Sequence, residues 1–250
     1  MTKIILSGCY GTMGRVIKEI CDKEKDVQIV AGIDAYNANE YPFPVFASFD
    51  DVNVNADVII DFSNPALLDS LLAYAKNKSV PAVIATTGYD DEQLKKINKA
   101  SKEVAIFFTF NMSLGINLLI ELSKQATKVL GNDFDIEIIE KHHNQKIDAP
   151  SGTAIMIANA ISDTLDEKPM FEYDRHSKRE KRPKNEIGIH SIRGGTIVGE
   201  HEVIFAGTDE IVSIKHQAMS KKIFACGAVN AAKFLAGKGA GIYTMKDIIS

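Results

Sequence analysis

Short apolar runs alternate with amphipathic stretches through the first half of the chain. Residues 3–7 read as a buried strand, and residues 15–25 place Val16, Ile17 and Ile20 on one helical face. Residues 28–33 form a second apolar strand that ends at Asp34. Residues 36–51 have loop character, broken by Pro42 and Pro44. Residues 57–62 are a strand; Ser63 and Asn64 then stand as caps before Pro65, a favoured first helical residue, and the helix runs to about Lys76. Residues 80–85 are a strand leading into Thr86-Thr87-Gly88. Residues 90–101 are a charged amphipathic helix, and residues 104–110 another strand. Strands alternating with helices predict a mostly parallel sheet covered on both faces.

The pattern then changes. Residues 113–130 predict a long helix stopped by Gly131. Residues 134–140 alternate as a strand does, and a polar stretch follows over 141–150. An apolar helix is expected from about 154 to 165, with strands of an antiparallel sheet over 187–193, 199–206 and 210–216, and a last helix over 221–235. The fold class expected is α/β: a Rossmann-like doubly wound parallel sheet plus a second α+β domain with a mixed or antiparallel sheet. Residues 1–112 and 221–250 form the first domain in this reading, and residues 113–220 the second.

Composition narrows the function classes. The chain is 45% hydrophobic and 25% charged, with 29 basic against 33 acidic residues. A formal charge of −4 speaks against nucleic acid as a partner. The basic residues between Arg175 and Lys184 read as a solvated loop, and Phe107, Phe108 and Phe110 as core. Cys9, Cys21 and Cys226 are widely spaced, without a CxxC pair, as expected for thiols of a reducing cytoplasm. The opening apolar run Ile4-Ile5-Leu6 is too short for a signal peptide, and no run suits a membrane span.

The candidate chemistry begins at Gly8-Cys9-Tyr10-Gly11-Thr12-Met13-Gly14, between a strand and a helix. Glycines let such a turn be tight and bring backbone close to a pyrophosphate, which the helix N-terminus attracts. Asp34, at the end of the second strand, suits a ribose diol. A tight turn that binds nothing has the same glycines; strand, helix and acid together favour a dinucleotide. The acid followed by Ala35 favours NADH over NADPH, although Arg15 is a group that could reach a 2′-phosphate. Ala85-Thr86-Thr87-Gly88 ends a strand on the side where open α/β sheets bind ligands.

The stretch from Glu137 to Ala154 holds His142, His143, Lys146 and a helix start at Pro150-Ser151-Gly152-Thr153. Ser151 is a natural N-cap, and the Gly152 and Thr153 amides would face a carboxylate. Histidine suits proton transfer near neutrality. Three readings stay open on the residues alone: a site for a small dianion with proton transfer, a solvated polar loop, and a metal site. The last is poorly served by adjacent histidines without HExxH or a nearby cysteine.

The same stretch resembles the signature of the dihydrodipicolinate reductases (4-hydroxy-tetrahydrodipicolinate reductases): Glu137, Glu140, His142, Lys146, Asp148, then Pro150-Ser151-Gly152-Thr153-Ala154. The resemblance extends along the chain. Gly8, Cys9, Tyr10, Gly11, Thr12 and Met13 resemble the family's cofactor loop, Asp34 its ribose acid, and Ala85, Thr86 and Thr87 its nicotinamide-side loop, although the family usually has glycine at Ala85. Thr109, Phe110, Asn111 and Met112 resemble a hinge that also touches cofactor, and Arg193 and Gly195 lie in a segment similar to its substrate-domain sheet. The resemblance implies His142 as proton donor, Lys146 as its catalytic partner, and His143, Lys146, Ser151, Gly152 and Thr153 as contacts of a small dicarboxylate substrate. It further implies NADH or NADPH as cofactor, diaminopimelate and lysine biosynthesis as pathway, and a cytoplasmic homotetramer assembled through the second domain. Two alternatives remain: an aspartate- or homoserine-type dehydrogenase, and a dinucleotide-sensing regulator without turnover.

Overall fold

The computed structural model describes residues 1–36 and 40–249; residues 37–39, within the expected loop, lie outside the described residues. In chain order the first elements are β1 (Thr2–Ser7), α1 (Thr12–Cys21), β2 (Val27–Ile33), β3 (Val45–Phe46), β4 (Val58–Asp61), α2 (Leu68–Lys78), β5 (Ala82–Ile84), α3 (Asp91–Ala100) and β6 (Ala105–Phe108). Next come α4 (Leu114–Leu130), β7 (Asp135–His142), α5 (Gly152–Ser162), β8 (Met170–Glu172), β9 (Glu186–Arg193), β10 (Gly199–Ala206) and β11 (Ile211–Ala218). The chain closes with α6 (Lys222–Leu235), β12 (Gly241–Tyr243) and α7 (Lys246–Ile249). It divides into two compact units, Met1–Leu114 with Lys222–Ser250, and Gly115–Lys221.

The first unit is a 7-stranded sheet in the order β12-β6-β5-β4-β1-β2-β3, with every pairing parallel. Its central strands are covered on both faces, which is why they are apolar without interruption. Ile4, Leu6, Val58 and Ile60 pack into one core with α1 and α6, and Ile5, Ile59 and Ile84 into another with α2 and α3. Helix α6 lies close to the sheet because its inner residues are small: Ala225, Ala228, Ala231 and Ala232 are all fully buried. Helix α3 begins in a reciprocal capping box between Asp90 and Gln93. From β1 the chain winds outward to β2 and β3 on one side, then returns to β4, β5 and β6 on the other. The reversal between β1 and β4 opens the crevice in which such sheets bind ligands.

The second unit carries a 5-stranded sheet in the order β11-β10-β7-β9-β8. The sheet is mixed, one of the two forms expected; the reading of residues 187–193 as an antiparallel strand is corrected, since β9 runs parallel to both β7 and β8, and only β10 is antiparallel to its neighbours β7 and β11. The reason is topological. The consecutive strands β9 and β10 flank β7 instead of pairing with each other, so the short link between them is no hairpin. Helices α4 and α5 pack on one face through Ile116, Leu119, Ile157 and Ile161 against Ile136, Ile138, Val203 and Phe205.

Three smaller departures have local causes. Phe110 is 70% exposed, so only Phe107 of the expected phenylalanine core is fully buried. The basic segment is not wholly solvated, because Arg182 turns inward onto Glu137 and Asp135 at 2.9 and 2.8 Å. The strands β3, β8 and β12 are too short to leave a periodic signal. Among the described residues no helix is long and apolar enough to cross a membrane.

The glycines of the first turn differ in what holds them. Gly8 has φ +77°, and a side chain there would meet the Phe62 carbonyl oxygen at 2.3 Å. At Gly14 a Cβ would sit 2.1 Å from the Gly8 oxygen and 2.7 Å from the Cys9 Cα. At Gly11 the nearest atom is 3.2 Å away. Gly14→Ala is therefore expected to destabilise the fold by about 2 kcal/mol or more, and Gly11→Ala by about 1 kcal/mol or less. Urea unfolding of the two variants checks this, and equal losses would contradict it.

Candidate active site

In the first unit the turn after β1 leads into α1 with Gly11 at the N-cap, where no side chain caps the helix and no acid occupies the first turn. An uncapped, acid-free helix start fits a pyrophosphate, and packing leaves Gly11 open to one. Asp34 is drawn against this turn: its carboxylate accepts from the Tyr10 amide at 2.9 Å and the Tyr36 amide at 3.1 Å. Tyr10 stacks on Tyr41 with ring centroids 4.7 Å apart and receives the Arg15 guanidinium over its ring at 5.6 Å. Arg15 also donates to the Tyr10 carbonyl and pairs with Glu40 at 3.5 Å.

Of the residues expected to touch cofactor, Gly11, Thr12, Thr87 and Phe110 are exposed, and Gly8, Met13 and Thr109 half-buried. Cys9 is fully buried, with its Sγ directed at Gly32, and burial pushes its thiol up to about 12. Tyr10, Ala85, Thr86, Asn111 and Met112 are also buried. For Cys9 and Met112 only the backbone is therefore suited to a ligand. The Thr109 hydroxyl accepts from the Asn111 amide at 3.3 Å, and the Asn111 side chain accepts from the Ser113 amide at 2.8 Å, which shapes that segment as a fixed turn.

In the second unit the organising group is Glu140, fully buried on the inward face of β7 after Ile136 and Ile138. Its carboxylate meets His142 Nδ1 at 2.6 Å, both terminal nitrogens of Arg193 at 2.8 and 2.7 Å, and the Ser151 amide at 3.0 Å. Burial alone would raise the Glu140 pKa. Hydrogen bonds from His142 and Arg193, then from Ser191 and the Ser151 backbone, instead hold it well below the usual carboxylate range. With Glu140 ionised, His142 Nδ1 must carry a hydrogen, and Nε2 is the nitrogen that can exchange a proton. A side chain at Gly199 would come within 3.1 Å of that Nε2.

The loop after His142 is pinned at both ends. The Gly194 amide donates to the His142 carbonyl at 2.9 Å, and the Asn144 amide to the Gly195 carbonyl at 3.2 Å. Lys146 pairs with Asp148 at 2.8 Å. Ser151 caps α5, its Oγ accepting from the Ala154 amide at 3.2 Å, and nothing would crowd a Cβ at Gly152. His201 stands behind the cap with Nε2 3.1 Å from Ser151 Oγ, and burial, reinforced by His142, lowers its pKa to about 3. His142, Ser151, Arg193 and His201 are thus joined through Glu140 and the cap. The Nδ1 of His143 is buried without a hydrogen-bond partner among the described residues.

Sequence reasoning passed over Glu140, Asp61 and His201 as site residues. For the two acids a signal existed: Asp61 closes an otherwise apolar, buried strand, and Glu140 takes the next inward position after Ile136 and Ile138 on an alternating one.

The chain is similar to known proteins along its whole length. Residues 2–112 match the model described as dihydrodipicolinate reductase, N-terminus, and residues 115–249 that for its C-terminus. A 4-hydroxy-tetrahydrodipicolinate reductase of Clostridium novyi (strain NT) is 52% identical over 100% of this chain and 98% of its own. One from Caldanaerobacter subterraneus subsp. tengcongensis is 51% identical over the same shares, 100% and 98%. The solved structure of a dipicolinate-bound dihydrodipicolinate reductase from Paenisporosarcina sp. TG-14 shares the fold, with TM-score 0.83, 24% identity and 99% of each chain covered.

His201 gives a pH prediction. Its folded pKa of about 3 lies below the ordinary 6.5, so the unfolded chain binds the proton first as pH falls. The stability associated with neutral His201 is complete above that ordinary value and is lost as pH falls toward the depressed one. Within that window the wild-type ΔG of unfolding should fall more steeply than that of His201→Gln, by about 1.4 kcal/mol per pH unit. Parallel slopes in urea titrations at stepped pH would refute it.

Proposed function

The chain belongs to the dihydrodipicolinate reductase family, and we propose that its two units divide that reaction between cofactor and substrate. The reaction is the reduction of 4-hydroxy-tetrahydrodipicolinate to tetrahydrodipicolinate by NAD(P)H, in diaminopimelate and lysine biosynthesis. The observation that carries the division of labour is the Glu140 cluster, which fixes one imidazole beside a capped helix start.

When bound, the reduced nicotinamide supplies the hydride that adds to the conjugated imine ring of the substrate. His142 donates the proton that quenches the charge developing on that ring. Its Nδ1 hydrogen is held by Glu140, so the proton leaves from Nε2. Lys146 exchanges its contact with Asp148 for the substrate's negative charge. The amides of Gly152 and Thr153, at the positive end of α5, and the His143 side chain take the substrate's carboxylates. Arg193 is spent on Glu140 as a fork, and on this reading holds the base of the site instead of the substrate.

In the first unit the backbone of Gly8–Met13 cradles the pyrophosphate, and Asp34 takes the ribose diol. The Ala85–Thr87 loop and the 109–112 segment serve the nicotinamide half. NADH is the preferred donor. Asp34 repels a 2′-phosphate, and the nearest candidate to bind one, Arg15, is engaged by Glu40 and the Tyr10 carbonyl. The protein works as a homotetramer. The face of the second sheet opposite α4 and α5 carries Ile139, Ile204, Glu202 and Lys215, and neither helix of that unit covers it. Its compartment is the cytoplasm, where reduced nicotinamide is kept and free thiols such as Cys9, Cys21 and Cys226 persist.

The test follows nicotinamide absorbance with substrate generated in situ by a dihydrodipicolinate synthase from pyruvate and aspartate semialdehyde. His142→Gln should lose about 10²–10⁴-fold in kcat with NADH affinity unchanged. Lys146→Ala should lower kcat and raise the substrate KM together. Near-normal turnover in both variants overturns the assignment of roles. For the cofactor, kcat/KM should favour NADH in the wild type, and Asp34→Ser should shift the NADPH-to-NADH ratio upward by about tenfold. A wild-type preference for NADPH would sink that part.

A further inference from the structure

Asp61 is a buried acid that the reaction described above does not use. It is the last residue of β4, paired in register with Ser7 of β1 on one side and Ile84 of β5 on the other. It therefore lies beside the β1/β4 reversal, at the carboxyl ends of the strands. It is 1% exposed, and among the described residues no lysine, arginine or histidine pairs with it. Its surroundings are hydroxyls. Ser63 Oγ donates to Oδ1 at 2.5 Å and Thr86 Oγ1 to Oδ2 at 2.6 Å. Ser7 and Tyr89 add two more buried hydroxyls facing the carboxylate, and that of Tyr89 also faces Thr86.

Thr86 is the informative member. Its hydroxyl hydrogen goes to Asp61, and its oxygen accepts the Ser63 amide at 2.8 Å. The Ala85 amide in turn donates to the Asp61 carbonyl at 2.9 Å. The side chain of Thr86 is thus turned into the sheet and used there, whereas Thr87 is exposed. Backbone and side chain of one aspartate fix both the loop after β4 and the loop after β5.

We infer that Asp61 is a positioning residue for the nicotinamide half of the cofactor, acting through Thr86 to set the Thr86-Thr87-Gly88 backbone and leave the Thr87 hydroxyl for the ligand. The inference rests on the proposed reading of the first unit as the dinucleotide site. The sheet order makes the effect local to one half of the ligand. The acid and glycine turn that serve the adenosine side stand on β1 and β2, and the Asp61 latch joins β4 to β5 on the other side. An unpaired buried carboxylate costs far more than a hydrogen-bonded one, so the hydroxyl ring keeps this latch in a single arrangement.

The experiment measures binding of NADH and of ADP-ribose, which lacks the nicotinamide, to the full-length protein by calorimetry. Wild type should bind both; failure to bind either would remove the dinucleotide reading itself. Thr86→Val, which keeps shape and deletes the hydroxyl, should weaken NADH by about tenfold and ADP-ribose by less than about threefold. Thr86→Ser, which restores a hydroxyl, should recover NADH affinity. Asp61→Asn should repeat the Thr86→Val pattern, and the double variant should be no worse than either single. Should Asp61→Asn fail to fold, the Thr86 pair decides alone. Equal weakening of both ligands, unchanged NADH affinity in Thr86→Val, or no recovery with serine would each overturn the inference and leave Asp61 a scaffold group only.

Discussion

A carboxylate removed from water must be met by donors or give up its charge, and Glu140 is where that requirement organises the second unit. Its position follows from strand periodicity: Ile136, Ile138 and Glu140 share the inward face of β7. Once there, it draws in the Arg193 fork from β9, the imidazole of His142 and the backbone amide that opens α5. Removing one partner of such a buried cluster typically costs about 3–5 kcal/mol, because the remaining charge stays stranded. The same bonds that satisfy Glu140 therefore hold His142 and the start of α5, the proposed proton donor and substrate contact, in one arrangement. Under the proposed roles, stability and chemistry depend here on the same atoms.

The first unit meets the same problem with different means. Asp61 is a buried strand acid as Glu140 is, but hydroxyls surround it in place of cations. Burial raises its pKa, whereas Glu140 is held low. The contrast suits the ligands. A turn that must accept a pyrophosphate gains nothing from a neighbouring anion, so a carboxylate sealed beneath hydroxyls is compatible with it. A site for a dicarboxylate needs its own acid neutralised by a fixed guanidinium, which Arg193 supplies.

Backbone geometry completes the division. Gly8 and Gly14 are demanded by packing, since a side chain at either would strike backbone atoms of its own turn or of the loop after β4. Gly11 is not, and its openness at the uncapped start of α1 suits the proposed pyrophosphate contact. Small residues along α6 let that helix return to the first sheet after the whole second unit has been built, with Gly227 backed directly against the Met112 carbonyl. The segment that ends the first half of the chain is thereby fixed by α6 near the end of the second.

Much of this was legible in the chain itself, because local rules determined it. The fully apolar runs of β1 and β4, the glycine turn, the acid after β2 and the Ser151 cap each follow from neighbours close in sequence, and they fixed the fold class and the type of chemistry. The 18-residue neighbourhood of His142 also carried the family resemblance, roughly the span over which spacing alone is informative. Long-range pairing was decided only in three dimensions. That β9 lies beside β7 and not β10 depends on a crossover no periodicity records. Arg193 reaches Glu140 across that pairing, His201 reaches Ser151 from β10, and Thr86 turns its hydroxyl inward because Asp61 waits on the adjacent strand. Sequence fixes which groups are available and which face of an element they occupy; only the register of neighbouring strands determines which of them meet, and that register is set by the packing of the whole sheet.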